Sequence, residues 1–187
     1  MTVDGKYTVI GQGLPRVDGV AKVTGLAKYS ADLKFSRMLY AEAVRSPYAH
    51  AKILKIDTSE AEKLPGVRSV ITGDYYSKKG GLYLADKNFL AYKTAKYRGE
   101  AVVAVCATTP EIAHEACKLV KIDYEELPGL FTPQDAMKPD AILIHPDLGT
   151  YRVAPIFHPV PGTNISHKHL LKKGDTEAAF KKCDKIG

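Results

Sequence analysis

The sequence has no tryptophan, only three cysteines, and no apolar run longer than Ala101 to Ala107. That run is far short of the roughly 20 residues a membrane-spanning helix needs. No basic start followed by an apolar stretch and a small-residue cleavage site appears after Met1, so the sequence predicts a protein of the cytoplasm, with no membrane partner. Cys106, Cys117 and Cys183 are odd in number and widely spaced, as expected of reduced thiols rather than a disulfide framework. None sits in a Cys-x-x-Cys pair, which argues against a zinc ribbon or an iron–sulfur cluster built by this chain alone. There is no Gly-x-Ser-x-Gly elbow to present a nucleophile. Gly11-Gln12-Gly13 runs into Leu14-Pro15, so no helix with a third glycine opens where a dinucleotide would need its amides.

What the sequence does hold is ordinary for a folded protein. The 187 residues are 45% hydrophobic and 26% charged, which excludes a disordered or fibrous chain. That length suits one domain or two small ones and can bury about 70% of the unfolded surface without disulfides or metal. The net charge of +6 is patchy. Lys78, Lys79, Lys87, Lys93, Lys96 and Arg98 face only Asp86 in their stretch, whereas Glu111 to Glu126 is acidic. Six further lysines follow Ile165. No nucleic-acid motif accompanies them, so the basic residues read as a solvated or partner-facing surface, Lys78 to Arg98 being a candidate contact region, and no nucleic-acid partner is expected.

Glycines 11, 13, 19 and 25 with Pro15 predict an extended arm at the start. Two strand–helix–strand units follow. In the first, Ala51 to Asp57 is a strand, Thr58 to Lys63 a short helix with capping-box spacing between Ser59 and Glu62, and Val67 to Thr72 a strand. In the second, Ala101 to Ala107 is apolar on both faces, like a strand between layers. Thr109 caps a helix with Pro110 at its first position, and Ile112, Ala113, Ala116 and Leu119 share one stripe. Val120, Ile122 and Tyr124 then alternate with polar residues, as in a strand with one wet face. Gly73 to Gly99 shows no period and is expected to be irregular. Thr132 caps a short turn through Met137. Residues 136–163 hold prolines 139, 146, 155, 159 and 161 and read as an extended linker. A strand over Ile165 to Leu171 and a helix opened by Asp175 close the pattern, with Ala178, Ala179, Phe180 and Cys183 facing inward. Gly187 falls where a further strand is expected, so the sequence reads as part of something larger.

Candidate chemistry is sparse. His167 and His169, two apart on a strand, would point the same way and could share a metal, but no third ligand is near in sequence. His114 and Cys117 lie one helical turn apart, close enough to share a metal, but a thiol packed inward with an imidazole on the rim is the favoured reading. Burial in the apolar strand would leave Cys106 inert. Glu125 and Glu126 point to opposite faces and cannot share acid–base work. His145 and His158 each precede a proline in the linker and are expected to face solvent.

The sequence also resembles a known family. Pro15-Arg16-Val17-Asp18-Gly19, Lys22-Val23-Thr24-Gly25 with Tyr29 and Asp32, and Ser46-Pro47-Tyr48-Ala49-His50-Ala51 are similar to the start of molybdenum hydroxylase large subunits, the xanthine dehydrogenase and aldehyde oxidase family. Leu64-Pro65-Gly66-Val67, Tyr97-Arg98-Gly99-Glu100, Asp123-Tyr124-Glu125-Glu126-Leu127-Pro128, Asn164-Ile165 and Lys173-Gly174-Asp175 continue the likeness in order. Tyr97-Arg98-Gly99 and the stretch from Phe131 to Lys138 look closest to the 4-hydroxybenzoyl-CoA reductase branch. The resemblance implies an α+β fold: an arm over 1–19, an α/β hammerhead domain with a mixed sheet and short helices over 20–135, the linker, and from 164 the incomplete start of a second, molybdopterin-binding α/β domain. It also implies that catalytic glutamate and cofactor-contacting loops lie in later domains, so no residue here is assigned as catalytic, cofactor-binding or metal-ligating. Molybdopterin, iron–sulfur clusters and, in some members, FAD would belong to the parent complex, whose remaining molybdopterin-binding, iron–sulfur and FAD parts are the expected partners. An independent binding module reusing the hammerhead fold is the alternative.

Overall fold

The computed structural model describes residues 2–3, 6–7, 9–76 and 78–185. The chain forms two compact units, residues 1–38 and 39–187.

In the first unit, β1 (Thr2–Val3) pairs antiparallel with β2 (Lys6–Tyr7). Residues 12–16 are without regular structure, as expected of an arm, but the chain then closes into α1 (Gly19–Val23). The cause is local. The Asp18 carboxylate binds Arg16 and reaches Lys22 one turn on, and these two cations, Arg16 first, hold its carboxyl below the usual range. No residue of α1 is buried.

The second unit contains β3 (Tyr40–Arg45), β4 (Ala51–Asp57), α2 (Ser59–Lys63), β5 (Val67–Thr72), β6 (Thr94–Ala95), β7 (Ala101–Ala107), α3 (Pro110–Leu119), β8 (Lys121–Glu126), α4 (Pro133–Ala136) and α5 (Thr176–Phe180). One three-stranded sheet has the order β3-β7-β5 and the other β6-β4-β8. The expected α+β hammerhead architecture is present, with one difference: all strand pairs of these sheets are antiparallel rather than mixed. Each strand–helix–strand unit carries the chain from one sheet to the other, β4 to β5 and β7 to β8, so its two strands never become parallel neighbours.

Strand β7 is the spine of the core. Val102, Val103 and Val105 are fully buried, and Ala61, Ala116 and Val120 pack in the same cluster with Ile53, Ile56, Ile122 and Tyr124 beside it. Helix α3 starts as the sequence predicts, with Thr109 Oγ1 accepting the Ile112 amide at 3.3 Å and Pro110 in the first turn. Ala113 and Ala116 are buried, but Leu119 is 38% exposed, because the helix ends there and Val120 takes the inward place. The Ser59–Glu62 capping box does not form. Instead the Ser59 amide and hydroxyl donate to Asp57 Oδ1, and the Thr58 hydroxyl donates to Glu62 Oε1.

Residues 73–99 are largely irregular, as expected, but contain β6, which pairs with β4 at Ala51↔Ala95. Residues 136–163 lack strands but pack closely against the unit. Leu148 is buried, Val153 bridges Leu84, and the Asn164 amide ties the stretch down by donating to Ala136 O and Ile142 O while accepting the Ile144 amide. The strand expected over 165–171 is absent: two backbone bonds, Val160 N to Ile165 O and Lys168 N to His158 O, are too few for a ladder. Asp175 caps α5 as predicted. The inward face expected there is not buried, since Ala179 and Cys183 are exposed and Phe180 is 53% exposed.

Candidate functional site

The basic stretch from Lys78 to Arg98 does not lie uniformly on the surface. Lys79 and Lys96 turn inward and are half-buried, while Lys78, Lys87, Lys93 and Arg98 stay exposed. The backbone explains this: Gly80 and Lys87 pair across a tight excursion, Ala85 N donates to Arg152 O, and Ala154 N donates to Tyr83 O. Residues 143–151 thereby come to lie against 79–96, and a cavity of about 570 Å³ opens between them, reaching His50, just before β4, and Lys52 within it.

His145 was expected to face solvent, but the structure half-buries it. Its Nδ1 lies 3.2 Å from the Tyr151 hydroxyl and its Nε2 3.9 Å from Asp86. Burial, and then the charge on Lys96, hold its pKa below the ordinary value. Folding therefore favours neutral His145. The stability this contributes is full above the unfolded histidine pKa of about 6.5 and is lost as pH falls through the lower folded value. The melting temperature is expected to fall on acidification from pH 7.5 to about 5.5, and to fall less in His145→Gln. Parallel curves for the two proteins would disprove this role. Glu100, also buried, shifts the opposite way: burial raises its pKa although its Oε2 accepts the Lys96 amide at 2.6 Å. It is common to both proteins and cancels in the comparison.

His50 carries no sequence signal of a role; it is buried and donates from Nδ1 to Pro128 O at 2.9 Å, tying the start of β4 to the segment just after β8. Only its place in the Ser46–Ala51 motif could have flagged it. His167 and His169 do come together, ring centroids 5.9 Å apart, and His167 also stacks on Phe157 at 4.2 Å. Its Nδ1 already accepts the His158 amide at 2.9 Å. His158 itself is exposed, as expected. His114 sits on the rim with Nδ1 2.9 Å from Glu42 Oε1, and Cys117 packs against the core, where burial raises its pKa. Cys106 is half-buried. Glu125 pairs with Lys52 at 2.9 Å, and Glu126 is exposed beside it. Among the described residues no three His, Cys, Asp or Glu side chains could hold a metal ion together. No described helix is long and apolar enough to cross a membrane.

Two small antiparallel sheets exchanged through strand–helix–strand crossings define an α/β hammerhead. The chain belongs to the aldehyde oxidase and xanthine dehydrogenase family, whose profile, described as "Aldehyde oxidase and xanthine dehydrogenase, a/b hammerhead domain", matches residues 24–128. It is 37% identical over 182 residues to the nicotinate dehydrogenase large molybdopterin subunit of Eubacterium barkeri, covering 95% of this chain and 39% of that one. Among solved structures, it superposes on a Cu,Mo-CO dehydrogenase with a TM-score of 0.74 and 32% identity, over 93% of this chain and 22% of that one. The aldehyde oxidoreductase of Desulfovibrio gigas gives 0.63 and 36%, over 71% and 16%. The chain therefore spans well under half the length of these relatives.

Proposed function

We propose that this chain is the amino-terminal structural part, or a split subunit, of a molybdopterin-dependent oxidoreductase of the hydroxylase or dehydrogenase type. It supplies frame and docking surface. Molybdopterin, iron–sulfur clusters and, where present, FAD are held by partner polypeptides or domains in the cytoplasm. Free Cys106, Cys117 and Cys183 support the reducing compartment.

One observation carries the reading. In the unit of residues 1–38, Val17, Val20, Val23, Leu26 and Phe35 are all at least 69% exposed. Large apolar side chains left exposed together in one short segment are what an interface would cover, and covering them contributes roughly 25 cal/mol per Å². The collinear match to large molybdopterin subunits supports the remainder of such a subunit as what covers it.

The test is purification of the tagged chain from its native source. Molybdenum, iron and, where present, flavin are expected to co-purify at fixed ratio. Val17→Asp combined with Val20→Asp should cut that recovery about tenfold or more without lowering the melting temperature of the chain itself. Full recovery with the double variant, or turnover of an aldehyde or purine by the isolated chain with an artificial electron acceptor, would overturn the proposal.

A further inference from the structure

The cavity of about 570 Å³ between 79–96 and 143–151 falls within the size range of small-molecule sites, roughly 300–1,000 Å³. Its lining carries four cations, Lys52, Lys79, Lys93 and Lys96, against one acid, Asp147. Two of the four are already engaged. Lys52 is held by Glu125 at 2.9 Å, and Lys79 lies 4.1 Å over the Tyr151 ring and 4.0 Å from Asp147.

Among the described residues Lys93 and Lys96 have no carboxylate within ion-pair distance, although the Lys93 ammonium lies 5.1 Å over the Tyr92 ring. Lys93 occupies a left-handed backbone position, φ 61°, that a lysine adopts only when its surroundings enforce it. Its carbonyl accepts the Ile53 amide at 2.8 Å, which fastens this turn to β4. Lys96 is half-buried, and burial pulls its pKa down against the opposing charge of Glu100. Glu100 turns its carboxylate to the Lys96 amide rather than to its ammonium. Among the described residues no carboxylate forms an ion pair with that ammonium. Asp86 and Asp147 act on it only at longer range. A half-buried cation without a paired anion is costly unless a ligand supplies one. Beside it, the rings of Tyr92 and Tyr151 and the side chain of Leu143 line the same cavity, a surface suited to a flat apolar body.

We propose that this cleft binds a small aromatic carboxylate, with its anionic group at Lys96 and Lys93 and its ring between the tyrosine walls. The proposal stands on the cleft alone and does not depend on the scaffold reading.

The experiment is calorimetric titration of the full 187-residue chain with three probes: benzoate (ring and charge), benzamide (ring alone) and inorganic phosphate (charge alone). Benzoate is expected to bind one to one, about tenfold or more tighter than either other probe, and to weaken as salt rises from about 20 to 300 mM. Lys96→Met should lower benzoate affinity about tenfold, and Lys93→Met, at an exposed position, serves the same purpose if the first variant does not fold. Lys118→Met, on α3 and paired with Glu115, should change nothing. Equal binding of benzamide or phosphate, unchanged affinity in both cleft variants, or no saturation by about 20 mM benzoate would overturn the proposal.

Discussion

Replacing Val105 with Asp is expected to abolish cooperative unfolding and send the protein to the insoluble fraction. Val105 is fully buried in β7, where its backbone sits between Glu42 of β3 and Val70 of β5. A carboxylate placed there meets no cation in the cluster of Val102, Val103 and Ala116. The penalty for an unpaired buried charge is several kcal/mol even after the group takes up a proton. A domain has only about 5–15 kcal/mol of stability in total, so this one substitution uses up most of it. Val105→Ala isolates the packing loss and should lower stability by about 2 kcal/mol, whereas Cys106→Ala, at the half-buried neighbour, should stay within about 1 kcal/mol. Urea denaturation followed by circular dichroism measures all three. A transition in Val105→Asp within about 1 kcal/mol of the unsubstituted protein would show that β7 is not the spine of the core.

That strand was legible because its signal is local. Seven consecutive apolar residues, a Thr-Pro cap and an alanine stripe fix β7 and α3 within 19 residues, Ala101 to Leu119. The partners of β7 were not legible. Strand β3 buries its residues only halfway with no alternation, and it pairs with β7 across some sixty residues of sequence, a relation that no pattern inside either segment encodes. The same limit explains the mixed sheet that was expected and the antiparallel sheets that form. A helix between two strands marks a crossing, but not whether the second strand returns to the first one's sheet. The site followed this logic. Its lysines were visible as a basic run, but whether Lys79 and Lys96 face water depends on residues 143–151 folding over them. His145 looked solvent-facing beside Pro146 because nothing near it in sequence announces that Leu148 is buried. At Ser59 and Glu62 the spacing was correct, but Asp57, one residue before Thr58, offered Ser59 a closer acceptor.

Gly81→Ala should detach that covering segment. Gly81 has φ +152°, and a Cβ built on it would stand 1.8 Å from Leu84 O, inside any tolerable contact. The clash is with backbone, which cannot swing aside like a side-chain tip. Residues 81–85 must therefore open, and Leu84 and Ala85, both buried, are the residues that bond to Arg152–Ala154 through Ala85 N, Tyr83 O and the Leu84–Val153 bridge. The expected loss is about 2–4 kcal/mol, with new proteolytic cleavage in both 78–98 and 136–163. Gly80→Ala is the matched comparison. Gly80 has no positive φ, and its Cβ would meet only the Phe89 ring edge at 3.8 Å, so alanine there should be neutral or stabilise by about 0.4–1 kcal/mol through a less mobile unfolded chain. Because both variants lose a glycine from the same turn, a difference between them isolates the close approach at Leu84. Equal stability would mean that the two segments are held together by something other than this turn.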